Sequence, residues 1–257
     1  LPAYDGFNLA AAGNVLVVTL NHRLNVFGYT FIGEKDDRFA TSGNVGQLDL
    51  VAALQWVQQN IEFFGGDPGN VTVFGQSGGG AKIGTLIAMP SAKNTFHKAI
   101  IQSGSLLKVS DKDAAIEVAE QIFAHFKLKP SNASALQDVP PKDLLAAYQN
   151  LSPIFSRTSE DERPADRRGI LNFAPVVDGY ALAQHPWAST APEMARSIAL
   201  MIGTSDEETA SFLGERLRQP VSSDAELLSL VADNQIFGDL PTNRYPRLLE
   251  EYKKQLP

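Results

Sequence analysis

The stretch Val71-Thr72-Val73-Phe74-Gly75-Gln76-Ser77-Gly78-Gly79-Gly80 decides the fold, because it joins a predicted strand to a predicted helix through one serine. Its first four residues are β-branched or aromatic, a composition that is typical of a short buried strand. The small residues that follow, from Gly78 to Met89, predict a helix. A turn this tight leaves no room for bulky neighbours, so we expect Gly75 and Gly79 to be required on steric grounds.

Ser77 is the candidate nucleophile of this turn, which has the Gly-x-Ser-x-Gly spacing of a nucleophile elbow. A serine in this position projects its hydroxyl from the carboxyl end of the sheet. The helix that begins at Gly78 would direct its first N–H groups at negative charge that develops there, so Gly78 is the predicted oxyanion donor. The alternative, an ordinary glycine-rich turn, is less favoured because a strand and a helix flank the serine.

Hydrophobic periodicity predicts the elements around this turn. Apolar residues recur at helical spacing from Val45 to Phe64, and Asn44 with Gln47 has the spacing of a helix cap and its partner three positions inside the helix. Further strands are predicted at Val15–Leu20, at Lys98–Gln102 and at Ile198–Gly203. Helices that alternate with buried strands indicate the α/β class with a mostly parallel central sheet.

Residues 110–170 interrupt this alternation. Two apolar stripes at helical spacing predict helices without strands up to Tyr148, and the charged segment Ser156–Arg168 is predicted to be a solvated loop. We interpret 110–170 as a helical and loop excursion from a single domain that comprises residues 1–257. The remainder of the chain, after Gly203, is predicted to be mostly helical.

Composition excludes several classes of function. A chain of 257 residues with 44% hydrophobic residues can bury a sizeable core, but its net charge of −7 argues against nucleic acid as a partner. The sequence has no apolar run long enough to span a bilayer. It has no cysteine, which excludes disulfides, thiol catalysis and thiolate metal sites in this chain. No metal site is predicted.

Short motifs along residues 4 to about 213 match one family in density and order. By these motifs the sequence resembles the type-B carboxylesterase and lipase family, to which the cholinesterases belong. The matching segments are Tyr4-Asp5-Gly6, Asn21-His22-Arg23-Leu24, Asn44-Val45-Gly46, Leu48-Asp49, Ala53-Leu54-Gln55-Trp56-Val57, Asn60-Ile61, Phe64-Gly65-Gly66-Asp67-Pro68, Val71-Thr72, Phe74-Gly75, Phe96-His97-Lys98-Ala99-Ile100, Gln102-Ser103-Gly104-Ser105, Pro175-Val176-Val177-Asp178-Gly179 and Ile202-Gly203-Thr204.

The resemblance implies an α/β-hydrolase fold and hydrolysis of small carboxylic esters through an acyl-serine intermediate, without a metal or an organic cofactor. It also implies that Glu208, which follows Gly203-Thr204, is the catalytic acid. Thr209 stands where the family has glycine, and a shift of one residue would nominate Glu207 instead. Ser103 matches a serine that supports the acid by hydrogen bonding, although a hydroxyl at a strand end also has a purely structural use.

Two parts of the family's machinery have no match in this chain. The triad order of Ser, then acid, then His places the histidine after Glu208, yet all four histidines precede it: His22, His97, His125 and His185. The family's His-Gly-Gly oxyanion loop normally precedes the Tyr-Asp-Gly segment. We therefore expect this chain to be an internal fragment of a longer esterase, with little turnover by itself. A displaced base among the four histidines is the alternative.

Two other functions stay open at the level of sequence. Cholinesterase-like folds also serve as non-catalytic adhesion modules, although the retained Ser77 argues against that function here. An amidase or a thioesterase on the same fold is the other candidate, and fold alone does not distinguish these activities.

Overall fold

The computed structural model describes residues 4–34, 36–104, 107–151, 173–187, 190–206, 208, 220–233 and 241–255. The described residues form two compact units, one with the residues up to 205 and a smaller one with those from 206 onward. The predicted charged loop at Ser156–Arg168 lies outside the described residues. In the part of the chain that is described, no helix combines the length and the apolar character needed to cross a membrane.

Helices and strands alternate in the larger unit. In chain order its elements are α1 (Phe7–Gly13), α2 (Asn25–Tyr29), α3 (Val45–Asn60), β1 (Thr72–Gln76), α4 (Gly78–Leu86), β2 (Lys98–Gln102), α5 (Lys112–His125), α6 (Pro141–Leu151) and β3 (Ala199–Gly203). Short 3-10 helices lie at Asp37–Phe39, Ser42–Asn44, Ile61–Phe64, Pro90–Ala92, Ala133–Asp138 and Glu193–Ser197. The smaller unit contains α7 (Asp224–Asp233), a 3-10 helix at Thr242–Arg244 and α8 (Tyr245–Gln255). Its described elements are helical, as the sequence predicts for the residues after Gly203.

The three strands form one parallel sheet in the order β1-β2-β3. Their last residues, Gln76, Gln102 and Gly203, are in register, so the three strands end at the same edge. The strands predicted from the runs before Gly75, at 98–102 and at 198–203 are therefore confirmed. The residues that directly follow the strands are brought together at this carboxyl edge.

The strand predicted at Val15–Leu20 is wrong, because this run lies outside regular secondary structure. A strand needs a neighbour that pairs with its N–H and C=O groups. Within the described residues β1, β2 and β3 pair only with one another, and no ladder hydrogen bond reaches this run. Its apolar side chains remain about half exposed, at 48% for Leu16 and 47% for Val18.

Helix α3 confirms the helix predicted from hydrophobic periodicity, and it supplies one wall of the main core. Its buried residues Leu50, Val51 and Leu54 pack in the same cluster as Ile83 and Leu86 of α4 and the inward residues of β2. A buried aliphatic side chain contributes about 1.5–3 kcal/mol relative to an exposed one. This cluster fixes α4 against the sheet and so fixes the position at which α4 begins.

Helices α5 and α6 occupy the region predicted to be an excursion. Phe123 of α5 and Leu136 are buried in a second cluster with Val26 of α2. The backbone at Ser110, just before α5, forms a parallel bridge with Val176, so the chain returns next to the point at which it departed. The helices are as predicted, whereas the division of the chain at 110–170 stays a prediction.

The predicted helix cap at Asn44 is wrong, although Asn44 is the residue that precedes α3. Its side chain makes no capping hydrogen bond. Instead the fully buried amide donates from Nδ2 to Val176 O and to Asp178 Oδ2, both at 2.8 Å, and its Oδ1 accepts from Val176 N at 3.0 Å. The Asn44 side chain therefore bonds a segment that is distant in the sequence instead of capping α3. Hydrophobic periodicity does not reveal such a contact. We call these contacts the Asn44 clasp.

Asn44→Ala is expected to lower the free energy of unfolding by about 2–3 kcal/mol, because it leaves buried polar groups of Val176 and Asp178 without partners. The matched control is Asn60→Ala. Within the described residues its half-buried amide bonds only Trp56 O, at 2.8 Å, and its loss should cost within about 0.5 kcal/mol. Urea denaturation of the three proteins measures both values. Equal losses in the two variants would contradict the role of the clasp.

Candidate active site

Ser77 occupies the junction between β1 and α4 in a conformation that is rare for a residue with a side chain, at φ 54° and ψ −121°. A non-glycine residue held there carries about 1–3 kcal/mol of strain. Two hydrogen bonds secure it: Ser77 N donates to Gln102 O at 2.8 Å, and Ser77 O accepts from Ala81 N at 3.0 Å. The residue is exposed at the carboxyl edge of the sheet, so its hydroxyl is accessible.

Three glycines allow the chain to turn this sharply. A Cβ atom added to Gly75 would lie 2.6 Å from the carbonyl carbon of Gly79, and one added to Gly80 would lie 2.6 Å from the carbonyl oxygen of Gly104. A Cβ atom on Gly104 would overlap the backbone carbonyl of Ser77. The strand end, the helix start and the segment after β2 therefore approach one another at backbone distance.

The steric requirement predicted at Gly79 is wrong, because a Cβ atom there would meet nothing within 4 Å. It is the backbone of Gly79 that lies close to Gly75, so the steric restriction falls on Gly75. Sequence reasoning missed Gly80 and Gly104 as the other required glycines. The signals were the unbroken run of three glycines after Ser77 and the Gly104 that follows β2.

Gly78 is the first residue of α4, and a first helical residue has no intrahelical acceptor for its N–H group. This N–H group belongs to the residue that follows the exposed serine. The start of a helix also carries partial positive charge, which favours an anion. The backbone at Gly78 can thus donate a hydrogen bond to negative charge that develops next to Ser77.

Ser103 takes the same position after β2 that Ser77 takes after β1. It also has a positive φ, at 53°, and its N donates to Gly203 O at 2.8 Å. The residue is half-buried, and its hydroxyl makes no hydrogen bond to any residue in the described ranges. Ser77 and Ser103 thus lie on neighbouring strands at one edge, while the supporting role of Ser103 stays a prediction.

Glu208, the predicted acid, belongs to the smaller unit, where it is half-buried. Asp206 is exposed, and Glu207 lies outside the described residues. The larger unit contains Ser77, Gly78 and Ser103, so the structure brings these three together. The assignment of Glu208 stays a prediction.

The four histidines have local partners, and within the described residues none bonds Ser77. His97 Nδ1 accepts from Val71 N at 3.3 Å, and the His125 ring contacts Phe126 edge-on. His185 accepts from Val109 N at 3.3 Å through Nδ1, while its Nε2 lies 3.1 Å from Asp111 Oδ1. These three rings are therefore engaged in local contacts rather than with the candidate nucleophile.

His22 is the remaining histidine, and its Nδ1 carries the proton because it donates to Arg23 O at 3.0 Å. Burial lowers the pKa of this imidazole, and the nearby Lys82 ammonium lowers it further. The ring is therefore neutral near pH 7. Among the residues that the structure describes, the His22 ring makes no hydrogen bond to Ser77.

A comparison with known families decides the identity of this arrangement, since the model of the carboxylesterase family matches residues 2–255. The chain belongs to the carboxylesterase family. It is 37% identical over 253 residues to the para-nitrobenzyl esterase of Bacillus subtilis, a match that covers 97% of this chain and 48% of that relative. It is 37% identical over 196 residues to the medium-chain fatty acyl-CoA hydrolase precursor of Anas platyrhynchos, with 72% of this chain and 34% of that relative covered.

Solved carboxylesterases share the fold of this chain. The carboxylesterase of Geobacillus stearothermophilus aligns with a TM-score of 0.77 at 34% identity, over 96% of this chain and 50% of that one. This likeness confirms the α/β-hydrolase fold, with its parallel sheet and flanking helices. The chain spans about half the length, or less, of the relatives it matches.

The glycines after the serine of this carboxylesterase chain should differ sharply in their tolerance of alanine. Gly80→Ala is expected to lower the free energy of unfolding by about 2 kcal/mol or more, because its Cβ atom would collide with Gly104 O. Gly79→Ala should change it by between zero and about 1 kcal/mol in the stabilising direction, since the site is open and alanine favours the helix. Urea denaturation compares the two, and equal destabilisation would refute the described packing.

Proposed function

We propose that this chain carries the nucleophile of a serine carboxylic-ester hydrolase. The observation that supports it is the exposed Ser77, held at φ 54° between a parallel strand and a helix that begins at Gly78. Strain of this kind persists only where the surroundings enforce it, and it presents the hydroxyl at the edge where such sheets bind ligands. Membership of the carboxylesterase family supports this reaction class.

In the proposed reaction Ser77 Oγ attacks the ester carbonyl carbon while a histidine takes the hydroxyl proton. The carbonyl oxygen becomes an oxyanion, and the N–H group of Gly78 is one of its donors. Collapse of this intermediate breaks the bond to the alcohol, which leaves with the proton from the histidine, and an acyl-serine remains. Water then attacks the acyl-serine by the same route and releases the acid. No metal or organic cofactor takes part, since nucleophile and base perform each step.

The other catalytic groups are assigned by proposal. We assign Glu208 to the carboxylate that orients the histidine, and Ser103 to its support. We assign the histidine and the remaining oxyanion donors to a part of the protein outside these 257 residues. The engagement of His97, His125 and His185 in local contacts supports a base from elsewhere.

Ser77→Ala is expected to lower kcat/KM for a short p-nitrophenyl ester by about 10⁴-fold or more in the complete protein that carries this chain, because no other group forms the acyl intermediate. The release of p-nitrophenolate measures the rate. Ser103→Ala serves as the matched serine control, with a smaller expected loss. Residues 1–257 alone should show little turnover. Unchanged hydrolysis by Ser77→Ala would refute the proposal.

Glu208→Gln should lower kcat by about 10²- to 10⁴-fold in the same assay, as expected when the carboxylate that fixes the histidine becomes neutral. Glu207→Gln is the control, because it removes an identical charge at the adjacent position. A larger loss in Glu207→Gln than in Glu208→Gln would move the acid by one residue.

Thioester hydrolysis is the second candidate, because one relative of this chain is a fatty acyl-CoA hydrolase precursor. Thioesters and oxygen esters pass through the same acyl-serine, so they differ only in the group that leaves. The values of kcat/KM for matched butyryl esters, thioesters and amides distinguish these activities. Absence of turnover on all three by the complete protein would favour a binding module.

A further inference from the structure

Lys82 lies on α4 next to the first turn of the helix, four residues after Gly78. Side chains on a helix lean toward its N-terminus, so the ammonium reaches back along the flank. Its Nζ donates to Gly78 O at 3.3 Å and lies 3.6 Å from the position that a Cβ atom on Gly78 would take. The cation is therefore adjacent to the residue that follows the nucleophile.

This placement is unfavourable for a cation in three ways. The start of a helix repels positive charge. The side chain is half-buried, and burial lowers the pKa of its ammonium. Finally, no carboxylate in the described part of the chain pairs with it. A half-buried ammonium without a carboxylate partner, placed beside a reactive group, gains stability when a negative group binds it.

The groups near Lys82 do not supply that partner. His22 responds to the Lys82 charge, but its ring is neutral or cationic and never negative. Asp49 also acts on His22, yet both of its carboxylate oxygens are engaged by Arg23, at 2.6 Å from Oδ1 and 2.9 Å from Oδ2. The acid that acts on His22 is thus already paired with a guanidinium.

We propose that Lys82 is a specificity residue that binds a carboxylate carried by the ester substrate. Gly78 O occupies one of the three ammonium donors and leaves two for a carboxylate. The inference rests on ester hydrolysis at Ser77 and adds the class of substrate: esters whose acyl or alcohol part is anionic. The competing explanation is that Lys82 only holds the Gly78 carbonyl, and it predicts no discrimination between anionic and neutral esters.

Protection from acetylation tests this binding without turnover. Residues 1–257 are treated with the neutral reagent N-acetoxysuccinimide, and peptide mass spectrometry gives the acetylation rate of Lys82 with and without 4-methoxybenzoate. We expect about fivefold slower labelling at a ligand concentration four times the dissociation constant. The neutral isostere 4-methoxybenzamide should give no protection. Lys98, an exposed lysine bonded to Asn70 Oδ1 at 2.8 Å, is the internal control and should label at one rate throughout.

Equal protection by the acid and the amide, or protection by neither, would overturn the assignment of Lys82. Protection that extends equally to Lys98 would do the same, because it would show a general effect of the anion on lysine reactivity.

Substrate discrimination gives the second readout, in the complete protein. The ratio of kcat/KM for 4-acetoxybenzoate to that for 4-acetoxybenzamide should fall about fivefold in Lys82→Met and remain near the native value in Lys82→Arg. Lys98→Met removes the same charge at the other end of β2 and should leave the ratio unchanged.

The acetylation rate and the kcat/KM ratio distinguish failure of the Lys82 assignment from failure of the proposed ester hydrolysis. An unchanged ratio in Lys82→Met, with turnover that still depends on Ser77, overturns the inference and leaves ester hydrolysis intact. Loss of any dependence on Ser77 overturns ester hydrolysis instead, and acetylation of Lys82 then decides whether the carboxylate site exists.

Discussion

The strained backbone of Ser77 is the constraint on which the rest of the site depends. A positive φ at a residue with a side chain is held only because β1, β2 and α4 meet there at backbone distance. Ser77 N bonds the end of β2, and Ser77 O bonds the first turn of α4. Any group that separated these three elements would relax the turn and withdraw the hydroxyl from the edge of the sheet.

Two buried side-chain amides, those of Asn44 and Gln47, connect the start of α3 to other segments of the larger unit. The Asn44 clasp joins the residue before α3 to Val176 and Asp178, more than 130 positions further along the chain. One turn into α3, the fully buried Gln47 donates from Nε2 to Lys82 O at 3.1 Å on α4. The helix that begins at the nucleophile is therefore fixed by polar contacts with defined geometry as well as by apolar packing.

Local patterns predicted the part of the fold whose causes are local. The strands at 72–76, 98–102 and 199–203 and helix α3 follow from hydrophobic runs and periodicity, and the serine turn follows from its glycines. The run at Val15–Leu20 has the composition of a strand, but a strand also needs a pairing partner, which composition does not report. Asn44 failed as a cap for a similar reason, since its partners are remote in sequence.

The sequence motif locates the candidate nucleophile and oxyanion donor but not the packing around them, and their catalytic roles stay predictions. Ser77 and Gly78 follow from the motif, whereas the distinction between Gly79 and Gly80 depends on which of them faces Gly104 around the first turn of α4. Sequence spacing did not indicate a binding role for Lys82 either. That role is inferred from its burial and from the absence of a carboxylate partner in the described residues. Both are properties of three-dimensional packing.

Covalent labelling of the complete protein with a fluorophosphonate, followed by peptide mass spectrometry, tests directly whether Ser77 is the nucleophile. We expect one phosphonyl group per chain on Ser77, formed in parallel with the loss of ester hydrolysis. Loss of hydrolysis with Ser77 unmodified, or a phosphonyl group on a different residue, would contradict this expectation.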